Sequence, residues 1–181
     1  MIQPKAFNSW TCIDVANMAR EHDVLSILPI ALYWCCTGRS VAELEEGQRR
    51  TDGTISALSP VNERACFRAL FALWTLKEQN TYSWVISPKS AYPACRNTEC
   101  SIARDNLLRT ILFPAAVYGC FTAWNDRWGT GQCNSCIDVA RQRHEEGRQK
   151  AWDALPGVFG LPGWEELTKE RSASACGKLV N

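Results

Sequence analysis

Residues Gln132–Gly160 read QCNSCIDVARQRHEEGRQKAWDALPGVFG, and the fold class follows from this stretch. After Cys136, the residues Ile137, Ala140, His144, Arg148 and Ala151 recur at helical spacing and share one stripe. Trp152 and Leu155 extend the stripe, and Pro156 is placed to close the helix. The other faces are charged. Arg141, Arg143, Arg148 and Lys150 are interrupted by Glu145 and Glu146, and Glu146 pairs with Lys150 at i to i+4. That pattern describes a solvated, self-paired helix face better than a DNA-binding helix.

Working outward, the same period recurs. From Ser9 the apolar set Ile13, Ala16, Met18 and Ala19 predicts a helix ending at His22-Asp23. A second helix follows over Leu28–Cys36, with Pro29 in its first turn. Together, 1–38 predict a helical hairpin. Residues 39–58 carry four acidic residues, three Arg and two Gly with little periodicity, and predict an exposed loop or linker. Ser59-Pro60 then opens a helix running to about Gln79, with Ser as N-cap. Its predicted buried face is Cys66, Leu70, Leu73, Trp74 and Lys77, flanked by Phe67 and Phe71. Tyr82–Arg96, with Pro88 and Pro93, reads as irregular, opening on a short extended piece. Ile102–Leu112 is helical, and Ala115–Trp124 continues it beyond a kink at Pro114. The stretch VFGLPGWEEL folds back, with Phe159, Leu161 and Trp164 on the core. The expectation is an all-α protein of about six helices with strands absent or minor, 59–181 forming a helical domain with two cysteine pairs.

Composition bounds the function. The chain has 181 residues, 46% of them hydrophobic and 22% charged, which suits a globular domain with its own core. A net charge of +1 with both signs interspersed does not predict strong non-specific attraction to nucleic acid or anionic membrane. The longest apolar run, Val24–Cys36, is too short to span a bilayer. The N-terminus has polar and charged residues where a signal peptide needs an apolar run, and no Asn-x-Ser/Thr sequon occurs. The expectation is an intracellular protein, of cytoplasm or nucleus, whose ten cysteines are reduced.

Four of those cysteines form two short pairs, Cys95-x4-Cys100 and Cys133-x2-Cys136. Zinc takes tetrahedral thiolate coordination, and short-spaced pairs let one turn aim both sulfurs at a single ion. Each pair precedes a predicted helix, where the helix N-terminus favours negative charge and lowers a thiol pKa. The pairs therefore predict a structural zinc site on Cys95, Cys100, Cys133 and Cys136. Two readings compete with it: cysteines that pack without a ligand, and a CxxC redox couple. The redox reading needs a buried strand before the motif, and CFTAWNDRWGTG does not read as one. His144 lies about 12 Å along the helix axis from Cys136 and reads as a core or interface histidine. Cys12, Cys35, Cys36, Cys66 and Cys120 fall in apolar helical tracts and read as small core hydrophobes, while Cys176 is in a polar tail.

None of HExxH, GxxxxGK[ST], GxSxG or GxGxxG occurs, and with two histidines the choice of general base is narrow. No catalytic residues are assigned and a non-enzymatic protein is expected.

Several motifs together resemble the C-terminal helical region of BTB/POZ-domain proteins of mushroom-forming fungi. They are REHDVLSILPIALYWCC, then SP-x-x-E-R-x-C, then TYSWVI, then the C-x4-C pair followed by Arg104, then CNSCIDVARQRHEEGRQKAWDALPGVFGLPGWEEL. The first hairpin is similar to the BACK-type helices that follow a BTB core. The resemblance implies self-association or partner binding, in ubiquitin-ligase adaptors or transcriptional complexes. The BTB core itself has no counterpart here, so core-mediated dimerisation and cullin binding are not carried over. The expectation is a protein-binding adaptor module stapled by zinc. A zinc-dependent nucleic-acid or chromatin-binding module and a CxxC thiol oxidoreductase are the alternatives.

Overall fold

Periodicity at 3.6 residues dominates the chain, and the molecule is accordingly mostly helical. The computed structural model describes residues 9–37, 39–86, 92, 95–112 and 119–169. Among these are eight helices, against about six expected from the pattern, and a single two-stranded sheet. The helices are α1 (Ser9–Glu21), α2 (Leu28–Cys36), α3 (Val41–Glu46), α4 (Pro60–Leu76), α5 (Ser83–Ile86), α6 (Thr98–Leu112), α7 (Asn134–Val158) and α8 (164–169). None of them is long and apolar enough to cross a membrane. The chain divides into two compact units, Met1–Phe71 with Ala154–Asn181, and Ala72–Asp153.

In the first unit α1 packs on α2, as the hairpin pattern predicts. Ile13, Ala16 and Ala19 are buried, whereas Met18, expected with them, is exposed. Asp23 turns the chain at φ 59°, the left-handed region that aspartate tolerates better than most residues. Pro29 sits in the first turn of α2, where its missing N–H costs no bond.

Residues 39–58, expected as an exposed loop, hold more structure than their pattern suggests. Helix α3 starts with a capping box: the Glu43 N–H donates to Ser40 Oγ at 3.3 Å, and the Ser40 N–H donates to Glu43 Oε2 at 2.8 Å. Strands β1 (Gln48–Arg49) and β2 (Ile55–Ser56) then pair antiparallel. The hairpin docks on α1, because Asp14 accepts from Arg50 at 2.6 Å and from Ser56 Oγ at 2.7 Å. A segment this short folds through caps and polar anchors, which carry no periodic signature.

Helix α4 begins at Pro60, but its buried face is rotated from the expected one. Cys66, Leu73 and Lys77 are buried as expected, but Asn62, Ala69 and Leu76 join them, while Phe71 is 80% and Trp74 38% exposed. A wide apolar surface on the helix left the face ambiguous, and buried Asn62 decides it. Its amide donates to the Ala16 carbonyl at 3.0 Å and its oxygen accepts from Arg20 Nε at 3.1 Å.

In the second unit the helical path from α4 widens into a π-turn over Lys77–Thr81 and re-forms as α5. The TYSWVI segment is thus helical where an extended piece was expected. Helix α6 starts at Thr98, four residues before the expected Ile102, because the Asn97 side chain caps it by accepting from the Glu99 N–H at 2.9 Å. Pro88, Pro93 and the expected kink at Pro114 lie outside the described residues. Residues 119–125 are turn and irregular backbone rather than the expected helix, and lead into a 3-10 turn over Asp126–Gly129.

Helix α7 has the stripe its sequence predicts: Ala140, His144, Arg148, Ala151 and Leu155 are all buried. It does not stop at Pro156 but runs to Val158. In a last turn, proline removes one bond without breaking the helix. The end is closed instead by Gly160 at φ 69°, with the Phe159 and Leu161 N–H groups both donating to the Pro156 carbonyl. Beyond it Phe159 and Leu167 are buried, and Leu161 and Trp164 are half-buried.

Candidate metal centre

The second unit brings Cys95, Cys100, Cys133 and Cys136 together, with all four sulfurs within 4.8 Å of one another. Cys95 lies just before α6 and Cys100 in its first turn, whereas Cys133 precedes α7 and Cys136 is in its first turn. A tetrahedral zinc–thiolate centre with bonds of about 2.3 Å has sulfur–sulfur edges of about 3.8 Å. The cluster is therefore within about 1 Å of that geometry along its longest edge. Each pair contributes one half-buried or exposed sulfur (Cys95 and Cys133) and one buried sulfur (Cys100 and Cys136).

Backbone amides converge on these sulfurs. The Cys133 N–H donates to Cys100 Sγ at 3.2 Å, the Asn97 N–H faces the Cys95 sulfur, and the Cys136 N–H, which donates to the Cys133 carbonyl at 3.0 Å, also faces the Cys133 sulfur. Thiols are weak acceptors and thiolates strong ones, so three amides aimed at sulfur favour the deprotonated form. They hold the Cys95 and Cys133 thiols below the ordinary range. The Cys136 thiol is instead pushed up to about 12, first by burial and then by its sulfur neighbours. At Cys100 the amide of Cys133 pulls down, but burial and the adjacent Cys133 and Cys95 sulfurs raise the thiol on balance. Sulfurs this close cannot all ionise alone. A dication among them removes the conflict, because its charge stabilises every thiolate at once.

Two further residues complete the surroundings. Arg104, one helical turn beyond Cys100, is buried and donates from Nη1 to Cys136 Sγ at 3.6 Å. Its guanidinium lies over the Tyr92 ring at 4.1 Å. A divalent ion on four thiolates carries two net negative charges, and this buried cation offsets one of them. The i to i+4 relation of Cys100 and Arg104 on one helix is the signal by which the sequence could have placed Arg104 in the site.

His144 is not part of the cluster. It is fully buried, and the rings of Tyr82, Trp84, Trp124 and Trp128 surround it at centroid distances between 5.2 and 6.3 Å. Trp84 Nε1–H can only donate, and it reaches His144 Nδ1 at 3.3 Å. Nδ1 also lies 3.1 Å from the Thr81 carbonyl, but Nε2 faces the Thr122 carbonyl at 2.9 Å, so in the neutral ring Nε2–H donates to Thr122 and Nδ1 accepts from Trp84. Burial keeps the imidazole pKa below its ordinary value.

Of the other described cysteines, three pack as small core residues, and Cys12 and Cys36 are half-buried. Cys35, Cys66 and Cys120 are buried, and burial drives the Cys35 and Cys120 thiols up to about 12. Cys66 points at the Leu32 carbonyl and Cys120 at the Leu73 carbonyl. Cys176 lies outside the described residues.

Fold and site thus define an all-α chain with a clustered four-thiol centre of metal-binding geometry. Comparison with protein-family models, with curated proteins and with solved structures gives no match.

Proposed function

We propose that this chain is a non-enzymatic protein-interaction module, of adaptor type, in which a structural zinc ion on Cys95, Cys100, Cys133 and Cys136 staples the second unit. The observation that carries the reading is the convergence of four thiols from two short pairs. Four cysteine ligands from two short pairs match the four-coordinate pattern of structural zinc sites, whereas catalytic sites keep three protein ligands and an open position. His144, walled in by aromatic rings, is a packing residue and not an accessible base. The partner is proposed to be a protein. Interfaces are enriched in aromatic residues, and Trp34 and Phe71 are exposed. The resemblance of the first hairpin and of the CNSC–His144–Trp152 tract to the region after a fungal BTB core supports the same reading. The proposed setting is intracellular, where cysteines serve as metal ligands more often than as disulfides.

A thiol oxidoreductase is the second reading, favoured by the exposure of Cys133 and its low thiol pKa. X-ray absorption at the zinc edge separates the two. Four sulfur neighbours at about 2.3 Å support the staple. A metal-free protein in which Cys133 and Cys136 oxidise and reduce reversibly supports the redox reading. Affinity purification of tagged wild-type and Cys100→Ser protein tests the adaptor part. Stoichiometric partners of the wild type that the variant loses are expected, and no stoichiometric partner for either chain removes it.

A further inference from the structure

The first unit contains a cleft of about 560 Å³ that nothing in the metal centre uses. Arg20 of α1 and Arg64 and Arg68 of α4 line it, together with Val61, Phe159 and Leu161. No aspartate or glutamate does. Two of the guanidiniums are anchored. Arg20 Nε donates to the oxygen of fully buried Asn62 at 3.1 Å, and Arg64 Nε donates to the Pro60 carbonyl at 3.0 Å. Both anchors use Nε, which leaves the paired Nη groups of each fork for another acceptor. Arg68 has no hydrogen-bond or ion-pair partner among the described residues.

Helix capping does not account for this grouping. The cleft lies at the C-terminus of α7, whose dipole supplies about half a negative charge against three guanidiniums. Two of its last carbonyls are also occupied, Pro156 by the N–H groups of Phe159 and Leu161, and Gly157 by that of Gly160. An i to i+4 pair of like charges, Arg64 and Arg68, works against the helix that holds it.

A carboxylate is matched by one guanidinium fork, whereas three forks lining one cleft suit the three oxygens of a phosphate. Phe159, buried at the wall, with Leu161 and Val61 offers apolar surface beside the charges. The cleft volume falls in the range of roughly 300–1,000 Å³ usual for small-molecule sites. We propose that the cleft binds a small phosphate monoester, Arg20, Arg64 and Arg68 holding the phosphate and the Val61–Phe159–Leu161 wall taking an apolar substituent.

Isothermal titration calorimetry on the full chain at constant ionic strength tests this with two probes, inorganic phosphate and phenyl phosphate. Saturable one-to-one binding of phenyl phosphate is expected, several-fold tighter than inorganic phosphate. Arg64→Gln and Arg68→Gln, both at exposed positions where folding is retained, should each weaken it roughly tenfold or more. Arg141→Gln, a control whose guanidinium pairs with Asp126 in the other unit, should leave it unchanged. Heat that fails to saturate in the millimolar range, or that falls equally in the control variant, overturns the site. Equal affinity for both probes overturns the assignment of an apolar substituent.

Discussion

Each sulfur of the cluster has its own neighbours, yet all four would share one ion, and this makes single-residue substitutions informative. Cys100→Ser removes a buried ligand and Cys133→Ser an exposed one. Exposure alone would make the second change mild. Under a shared ion both remove one ligand, so the losses of melting temperature should be comparable. If Cys100→Ser unfolds the protein while Cys133→Ser is silent in thermal melts, the shared site fails. Arg104→Gln keeps a polar head but removes the charge facing Cys136, so metal affinity measured by competition with a chromophoric chelator should fall by about tenfold. Arg104→Lys should recover part of it, and an unchanged affinity in Arg104→Gln would leave Arg104 with packing alone. His144 gives a pH prediction. Its folded-state pKa is depressed by burial, so the stability it contributes is present above its unfolded value of about 6.5 and is lost as pH falls through that value toward the folded one. Side-chain NMR of the folded protein at pH 7 should show a neutral ring protonated at Nε2. A ring that has already titrated at that pH would contradict both the tautomer and the sign.

At the scale of elements, α7 and the π-turn are fitted to one another through Gly147. A Cβ there would sit 2.3 Å from the Asn80 carbonyl oxygen and 2.8 Å from Thr81 Cα. Alanine normally gains about 1 kcal/mol over glycine inside a helix. At Gly147 the contact is with backbone, which cannot rotate away, so Gly147→Ala should destabilise by about 2 kcal/mol or more in chemical denaturation. A stabilising Gly147→Ala would mean the two elements are not in contact. Elements with a clear period were legible: α1, α2 and the stripe of α7 stand where spacing puts them. The segments set by single side chains were not. Ser40 and Glu43 make α3, Asp14 anchors the hairpin, Asn97 advances the start of α6, and buried Asn62 turns α4 about its axis. In each case a hydrogen bond to a partner near or far in sequence overrides an apolar pattern that pointed elsewhere or nowhere. The cysteine pairs were legible because metal ligation constrains spacing itself. Arg104 joins them only through the turn of the helix.

For the molecule as a whole, the cluster matters because of the chain it ties together. Cys100 and Cys133 are separated by 33 positions, and the described residues between them run from α6 through irregular backbone and the 3-10 turn over Asp126–Gly129. A cross-link that closes a loop of this length limits the unfolded chain by about 4 kcal/mol, a large part of the 5–15 kcal/mol that stabilises an ordinary domain. The apolar cluster of Tyr82, Trp84, Trp128 and Ala140 also includes Cys100 and Cys136, so opening the metal site would disturb the core beside it. The most direct measurement is native mass spectrometry of reduced protein purified without added metal, before and after chelation, with circular dichroism melts of both samples. The account predicts one zinc per chain and a fall in melting temperature of roughly 10 °C or more on its removal. A metal-free chain with an unchanged melt would contradict it and return the four cysteines to packing or to redox chemistry.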